Sequence, residues 1–354
     1  MKKVIFVNSC LTNGGSERVM TLIANYFAEN NYDTTMILVR DKKEKDYALN
    51  QNIECIQFKY NTKNKLIILL KRIIKLRKEL KKRKPDYIIS FMWDINMITL
   101  LANLGLKSKV IVSERAHPLM GPQPLEKKIT EKKLYKLANT IVFQTNDVLK
   151  YYNKKVKKKS IVIPNPINEN LPQKYEGERK KIICAAGRLT KQKNFSMLIN
   201  VFSKFSKEYN DFKLVIYGDG KLRPELEKQI ETLNLKGKAF LPGYIDNINE
   251  KMCNCAMYIS TSIYEGISNS MLEALGMGIP TICTDCPVGG ASLVMKGKNN
   301  GILIPVNDDN ALLSAMKSIA DNKELAEAYS KEALKVRDEF SIDKIGKQWM
   351  KLCE

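Results

Sequence analysis

The sequence predicts an α/β protein built as two doubly wound domains in tandem, each a parallel sheet covered by helices on both faces. Three observations predict it. The chain has 354 residues, against about 150 for an ordinary domain, so two cores are expected. Short apolar runs alternate with stretches whose apolar residues recur every three or four positions, the strand–helix pattern that sets strands parallel. That alternation pauses once, at Ile163-Pro-Asn-Pro-Ile-Asn-Glu-Asn-Leu-Pro172, a Pro/Asn-rich stretch suited to a connector, and then restarts.

In chain order, Val4–Val7, Thr35–Val39, Ile53–Phe58, Tyr87–Phe91, Val110–Val112 and Ile141–Phe143 read as strands of the first domain. Val19–Phe27 and Ile95–Leu104 are among the helical stretches between them. After the connector, Ile182–Ala186, Lys213–Tyr217, Ala239–Leu241, Met257–Ser260, Thr281–Cys283 and Ile302–Ile304 read as strands of the second. The domains are expected over 1–165 and 166–340. Ser341 reads as the N-cap of a closing amphipathic helix over 341–354 that can pack back on the first domain. Ligands of open parallel sheets bind beyond the carboxyl ends of the strands, so the chemistry is expected in a cleft between the two domains.

Composition excludes several classes. An apolar fraction of 44% with no low-complexity tract is that of a globular protein. The opening Met1-Lys-Lys-Val-Ile-Phe-Val-Asn has an apolar run of only four residues, below the ~7–15 of a signal peptide. Leu66–Leu70 falls far short of the ~20 residues that span a bilayer. Cys253-Asn-Cys255 and Cys283-Thr-Asp-Cys286 have a spacing that could hold zinc, but Cys255 opens one apolar run and Cys283 ends another, so both read as small core residues. The net charge of +21 is unevenly spread: residues 1–165 carry 33 Lys and Arg against 14 Asp and Glu, and residues 166–354 carry 26 against 24. The first half is therefore expected to meet something anionic.

Four segments carry candidate chemistry. After the first strand comes Gly14-Gly15-Ser16-Glu17-Arg18, with Ser16 placed as a helix N-cap; paired glycines at a helix start admit an anion, and serve an ordinary turn as readily. Gly187-Arg188, with Lys193 five residues on, stands at a strand's carboxyl end and can clamp a diphosphate, Arg by its fork and Lys as a point charge; a solvated charged loop would look the same. Gly218-Asp-Gly220 again permits close backbone approach. The fourth and most informative runs from Ser260 through Glu265-Gly-Ile-Ser-Asn-Ser-Met-Leu-Glu273 to Pro280: a strand, a polar loop, and a helix beginning near Ser268. Eight helical residues would span about 12 Å, too far for a hydrolase carboxylate pair at ~5–9.5 Å. Glu265 and Glu273 fit better as two grips on one elongated ligand, although lone helical acids usually face solvent.

Taken together, these segments and the Gly278-Ile-Pro280 that follows resemble the family 4 retaining glycosyltransferases of the GT-B fold, in particular bacterial enzymes that build capsular, O-antigen or lipid-linked oligosaccharides. The resemblance covers the whole chain in order and implies two Rossmann-like domains, the first binding acceptor and the second a nucleotide-sugar donor, UDP-linked by this reading. It implies that Arg188 and Lys193 bind the donor diphosphate and that Glu273 holds the nucleotide ribose. Glu265 with Gly266, Ile267, Ser268 and Asn269 would take the donor sugar and phosphate, Gly187 and Gly218 would line the site, and Gly15 would approach the phosphate from the first domain. No metal or other cofactor is implied, since Arg, Lys and helix amides stabilise the leaving diphosphate. Two departures stand out. Relatives carry a Ser-Glu-His triplet near the donor sugar where this chain has Ser113-Glu114-Arg115, with its only histidine at His117, so Arg115 and His117 are both candidates for that role. Relatives also carry a Glu shortly after the glycines matching Gly289-Gly290, where this chain has Ala291-Ser292-Leu293.

Residues 65–84 read as one helix. Leu66, Leu69, Leu70, Ile73, Ile74, Leu76 and Leu80 share a face that is expected to pack on the sheet, while Lys71, Arg72, Lys75, Lys78 and Lys82 lie opposite. That cationic face fits anionic headgroups or the diphosphate of a lipid-linked acceptor. The expected protein is thus a cytoplasmic hexosyl- or N-acetylhexosaminyltransferase, peripheral at the inner face of the cell membrane, acting on a polysaccharide or lipid-linked acceptor. Two rivals remain open: a nucleotide-sugar epimerase on a similar scaffold, and a nucleic-acid-binding protein suggested by the basic half. No aromatic-interleaved basic module supports the latter, and no nucleic-acid partner is expected.

Overall fold

A computed structural model describes residues 1–12, 14–40, 47–115, 118 and 125–354. The chain forms two compact units, Met1–Pro166 with Ile342–Glu354, and Ile167–Ser341.

In the first unit, β1 (Lys3–Asn8), β2 (Asp33–Leu38), β3 (Glu54–Gln57), β4 (Tyr87–Phe91), β5 (Lys109–Ser113), β6 (Thr140–Phe143) and β7 (Ser160–Val162) form one sheet in the order β3-β2-β1-β4-β5-β6-β7. All its ladders are parallel. The central strands are buried along almost their whole length, which is why they read as unbroken apolar runs. β7 leaves no mark in the sequence pattern, because it is a three-residue edge strand between a lysine-rich run and the proline-rich connector, too short to show a period. Helix α1 (Gly15–Glu29) follows β1. Its N-cap is Gly14, which corrects the assignment of Ser16: that hydroxyl lies inside the first turn and donates to Glu17 Oε2 at 2.7 Å. The C-terminal helix, Ile342–Lys351, packs on α1 through its buried Ile345, Gly346 and Trp349, and the Tyr26 hydroxyl donates to Asp343 Oδ1 at 2.9 Å.

Helix α2 (Lys65–Arg83) is capped by Asn64, whose side chain accepts from the amides of Leu66 and Ile67 at 3.0 and 3.2 Å. The expectation that its apolar face packs on the sheet is corrected in part: only the C-terminal half of that face is covered, and the helix packs on α3 (Trp93–Ala102). Leu76 and Leu80 are buried, but Leu66, Ile67, Leu70 and Ile74 are 66%, 43%, 53% and 65% exposed. The buried half is also the anchored half. Arg77 donates to the carbonyls of Ala102 and Leu104 at 2.9 and 2.6 Å, at the end of α3, and Arg83 pairs with Glu54 on β3 at 2.6 Å.

In the second unit, β8 (Lys180–Ala186), β9 (Lys213–Tyr217), β10 (Ala239–Gly243), β11 (Cys255–Ser260), β12 (Thr281–Thr284) and β13 (Ile302–Ile304) form a parallel sheet in the order β10-β9-β8-β11-β12-β13. Alternate residues of each strand feed two cores. Ile183, Ala185, Leu214, Ile216, Met257 and Ile259 meet Phe202 and Phe205 of α4 (Phe195–Glu208) on one face. Cys184, Ala186, Tyr217, Tyr258 and Cys283 meet Leu272 and Leu275 of α5 (Asn269–Gly276) on the other. In each sheet the strand order reverses once, at β1/β4 and at β8/β11, and the crevice beyond such a reversal is where doubly wound sheets bind ligands.

Candidate active site

The segments leaving β8 and β11 meet at the reversal point of the second sheet. These strands are direct neighbours, with Cys184 opposite Tyr258, so Gly187-Arg188 and the loop 261–268 leave from adjacent positions. Gly218, at φ 122°, leaves β9 beside them; a Cβ there would collide with the Gly187 carbonyl oxygen, so the two turns nest because Gly218 has no side chain, while a Cβ at Gly187 would press on the Lys193 side chain. Arg188 is exposed and its guanidinium makes no ion pair with a described residue.

Lys193 and Glu265 are brought into direct contact. Lys193 Nζ lies 2.5 Å from Glu265 Oε2, with only 14% and 21% of the two side chains exposed, and the Ser262 hydroxyl donates to the same oxygen at 3.1 Å. The loop that carries Glu265 is pinned to the Lys193 turn by three bonds: Ile263 N to Gln192 O at 2.8 Å, Gln192 Nε2 to Tyr264 O at 3.0 Å, and Thr261 Oγ1 to Lys193 O at 2.9 Å. Nothing in the sequence marked Gln192, Thr261 or Ser262, and a contact between residues 72 apart leaves no periodic or motif signal.

Helix α5 begins at Asn269, with Ser268 as N-cap accepting from Met271 N at 3.4 Å. Ser270 Oγ lies 2.8 Å from the Tyr258 hydroxyl and donates to Ala186 O at 3.4 Å, tying the first turn of α5 to the end of β8. Glu273, one turn further in, is only 4% exposed. It is therefore no solvent-facing helix acid, since a carboxylate that deep is retained where polar partners meet it. The site offers one exposed guanidinium, one partly neutralised ammonium, a helix start and a buried carboxylate, a set able to hold an elongated ligand with an anionic middle and hydroxyls at its ends.

In the first unit, Gly15 is exposed at the start of α1, and the Glu17 carboxylate folds back over Gly14, where a Cβ would collide with it. Arg115 follows β5. Its guanidinium lies 4.1 Å from the Phe91 ring centroid and 5.8 Å from that of Trp349, its Nε donates to Ser113 Oγ at 3.2 Å, and its Nη1 donates to Asn165 Oδ1, which also accepts from Gln144 Nε2 at 2.6 Å. Burial pushes its pKa down, to about 9. The neighbouring Glu114 is fully buried and its carboxyl is pushed up to about 7 by burial, against the opposing pull of the Tyr135 hydroxyl that donates to it at 2.7 Å. His117 lies outside the described residues.

The cations of α2 divide into two groups. Arg72 and Lys75 turn back to aromatic rings, Arg72 at 5.7 Å from Tyr60 and Lys75 at 5.1 Å from Tyr60 and 5.9 Å from Phe58. Lys71, Lys78 and Lys82 stay exposed on the outer side, next to the exposed Leu66, Ile67, Leu70 and Ile74. Of the four cysteines spaced for zinc, Cys255 and Cys283 are buried in β11 and β12, and among the described residues no three His, Cys, Asp or Glu side chains gather as a metal site.

Residues 167–336 match the family described as Glycosyl transferases group 1, and residues 13–171 match Glycosyltransferase Family 4. The chain is 28% identical to the N-acetylgalactosamine-N,N'-diacetylbacillosaminyl-diphospho-undecaprenol 4-alpha-N-acetylgalactosaminyltransferase of Campylobacter jejuni, over 98% of both chains. It is 25% identical, over 99% of this chain and 98% of the relative, to the same organism's GalNAc-alpha-(1->4)-GalNAc-alpha-(1->3)-diNAcBac-PP-undecaprenol alpha-1,4-N-acetyl-D-galactosaminyltransferase. Among solved structures, Anabaena Alr3699/HepE in complex with UDP and glucose aligns with a TM-score of 0.82 at 15% identity, covering 100% of this chain and 99% of that one.

Proposed function

This chain belongs to the group 1 and family 4 glycosyltransferases and has their GT-B fold, and from that membership we propose that it transfers a hexose or N-acetylhexosamine from a UDP-sugar to a lipid-linked or polysaccharide acceptor, with retention at the anomeric carbon. The observation that carries the reading is the meeting, at one sheet reversal, of Gly187, Arg188, Lys193, Glu265, the Ser268 helix start and the buried Glu273. The UDP in the Anabaena structure supports the nucleotide, and the undecaprenol-linked acceptors in the two Campylobacter names support the acceptor class. Neither the epimerase nor the nucleic-acid reading finds support in these relatives.

In this proposal Glu273 accepts from the ribose hydroxyls, Arg188 and Lys193 face the diphosphate, and Glu265 with Gly266, Ile267, Ser268 and Asn269 hold the sugar and its phosphate. Gly187 and Gly218 let the backbone come close, and Gly15 is assigned to the phosphate as well. The acceptor oxygen forms a bond to the anomeric carbon while the bond from that carbon to the diphosphate oxygen breaks, and the acceptor proton passes to the departing phosphate. Positive charge fixed where the diphosphate leaves stabilises the transition state more than the ground state. The Lys193–Glu265 contact lets the ammonium wait partly neutralised and turn to the diphosphate when it arrives. Arg115 and His117 remain the candidates for the first unit's contact to the donor sugar.

The exposed ridge of Leu66, Ile67, Leu70 and Ile74 beside Lys71, Lys78 and Lys82 supports a place for the enzyme at the cytoplasmic face of the membrane. An apolar strip edged by lysines suits a helix lying in the plane of anionic headgroups, each lysine adding ~1 kcal/mol near the surface. Arg72 and Lys75, engaged by Tyr60 and Phe58, are assigned to the acceptor side only as a reserve of charge. Among the described residues no helix is long and apolar enough to cross a membrane.

The test is a thermal-shift screen of UDP-sugars on the wild type, Glu273→Ala and Arg188→Ala, followed by acceptor-dependent UDP release. Wild type should be stabilised by UDP and by at least one UDP-sugar, and both variants should lose that shift. A wild type that responds to no nucleotide, or variants that respond as it does, would overturn the site.

A further inference from the structure

The segment that leaves β12 runs alongside the Glu265 loop and touches it in step. Thr284 Oγ1 donates to Ser262 O at 2.6 Å. The thiol of Cys286, 4% exposed, lies close enough to Glu265 that burial first and then that carboxylate push its pKa up to about 12. Gly290 then lies against Gly266 and Ile267: a Cβ there would collide with the Gly266 carbonyl and stand 2.8 Å from Ile267 Cα. Between the last two contacts the chain reverses through a turn closed by Gly289 N donating to Cys286 O at 3.1 Å, and helix α6 (Gly290–Met295) begins.

That reversal needs two consecutive residues in the left-handed region, Val288 at φ 77° and Gly289 at φ 63°. Glycine adopts such a backbone freely, whereas a β-branched residue there is strained. Nevertheless Val288 is 5% exposed. A valine in a glycine's conformation is retained where burying its side chain outweighs the backbone cost, and a turn held that way has fewer alternative shapes than a run of glycines.

We propose that Val288 is a positioning residue, whose buried side chain locks the turn 286–290 and so presses Gly290 against Gly266 to hold the loop 265–268 in its ligand-ready shape. The inference rests on the reading of that loop as the sugar end of the donor site. It predicts separate control of the two ends of the donor: the turn governs the sugar end, while the nucleotide end, assigned to Glu273 inside α5, is left alone.

The experiment compares wild type, Val288→Gly, Val288→Ile and Gly290→Ala in the full chain by hydrogen–deuterium exchange of the 261–272 peptide, by calorimetric binding of UDP, and by transfer with whichever UDP-sugar most raises the wild-type melting temperature. Val288→Gly should speed exchange of the 265–268 amides at least fivefold and lower kcat about tenfold while the Kd for UDP stays within threefold. Val288→Ile, which keeps a buried branched side chain, should behave as wild type, and Gly290→Ala should lower kcat most. The proposal is overturned if Val288→Gly leaves exchange and kcat within twofold of wild type, or if UDP affinity falls in parallel with kcat. Should wild type bind no UDP, the donor-site reading fails, and the exchange of 265–268 still decides whether the turn holds the loop.

Discussion

The two units share one architecture and use charge in opposite ways. In the second, near neutral overall, opposite charges are drawn into the reversal point of the sheet, where Lys193 and Glu265 meet at 2.5 Å and Glu273 is buried. In the first, where nearly all the excess positive charge resides, lysines stay on the outer side of α2 beside apolar side chains that are also left out. A doubly wound sheet fixes where a ligand can enter but not what it is; local side chains decide that. On the function proposed above, the second unit would hold a small polyanion in register and the first would meet a broad anionic surface.

The largest expected effect would break the second half of that contrast. Lys193→Ala should lower kcat by about 100- to 1000-fold, the usual cost of removing a group that stabilises departing charge. Adding Glu265→Gln should recover the melting temperature, since no unpaired carboxylate is left, but not the rate; steady-state kinetics and melting of both variants check this. If the double variant recovers the rate, the pair is merely structural. A smaller effect tests the first unit. Replacing Leu66, Leu70 and Ile74 by Ser should reduce sedimentation with phosphatidylglycerol vesicles about tenfold at a salt concentration where charge is screened, and Lys71, Lys78 and Lys82 to Ser should do so only at low salt. Both variants should keep UDP affinity. Equal vesicle binding by all three proteins would remove the membrane face.

A third effect concerns stability alone. Burial raises the folded pKa of Glu114 to about 7, above an unfolded carboxyl's ~4.3. Between those values the folded chain binds the extra proton, so this residue's contribution falls as pH rises through that window. Glu114→Gln should gain on wild type by on the order of 2 kcal/mol between pH 4.5 and 7.5, measured by urea denaturation at both. A constant difference across that range would show that Glu114 titrates normally.

Most of the strands were legible because a parallel strand buried on both faces is an unbroken apolar run, and β4, β9 and β13 fall on the residues the pattern marked. The glycines near the reversal point were legible for a related reason, since a strand that ends in glycine signals close backbone approach. β7 was not, because three residues carry no period. Ser16 was misplaced because Gly14 supplies the extended conformation a cap needs without a side chain.

By itself the sequence determined two parallel-sheet units, a near-neutral half and a cationic half, and an acid-flanked helix start after β11, because periodicity, charge and turn chemistry are local properties. Only the tertiary structure decided that Lys193 meets Glu265, that Glu273 is buried, that Arg115 is held between Phe91, Trp349 and Asn165, and that half of the apolar face of α2 is left uncovered. Each of these depends on which distant segment arrives at a given surface. A chain's local pattern can announce an apolar face or a charge, but what covers or pairs it is settled by packing between residues far apart in sequence.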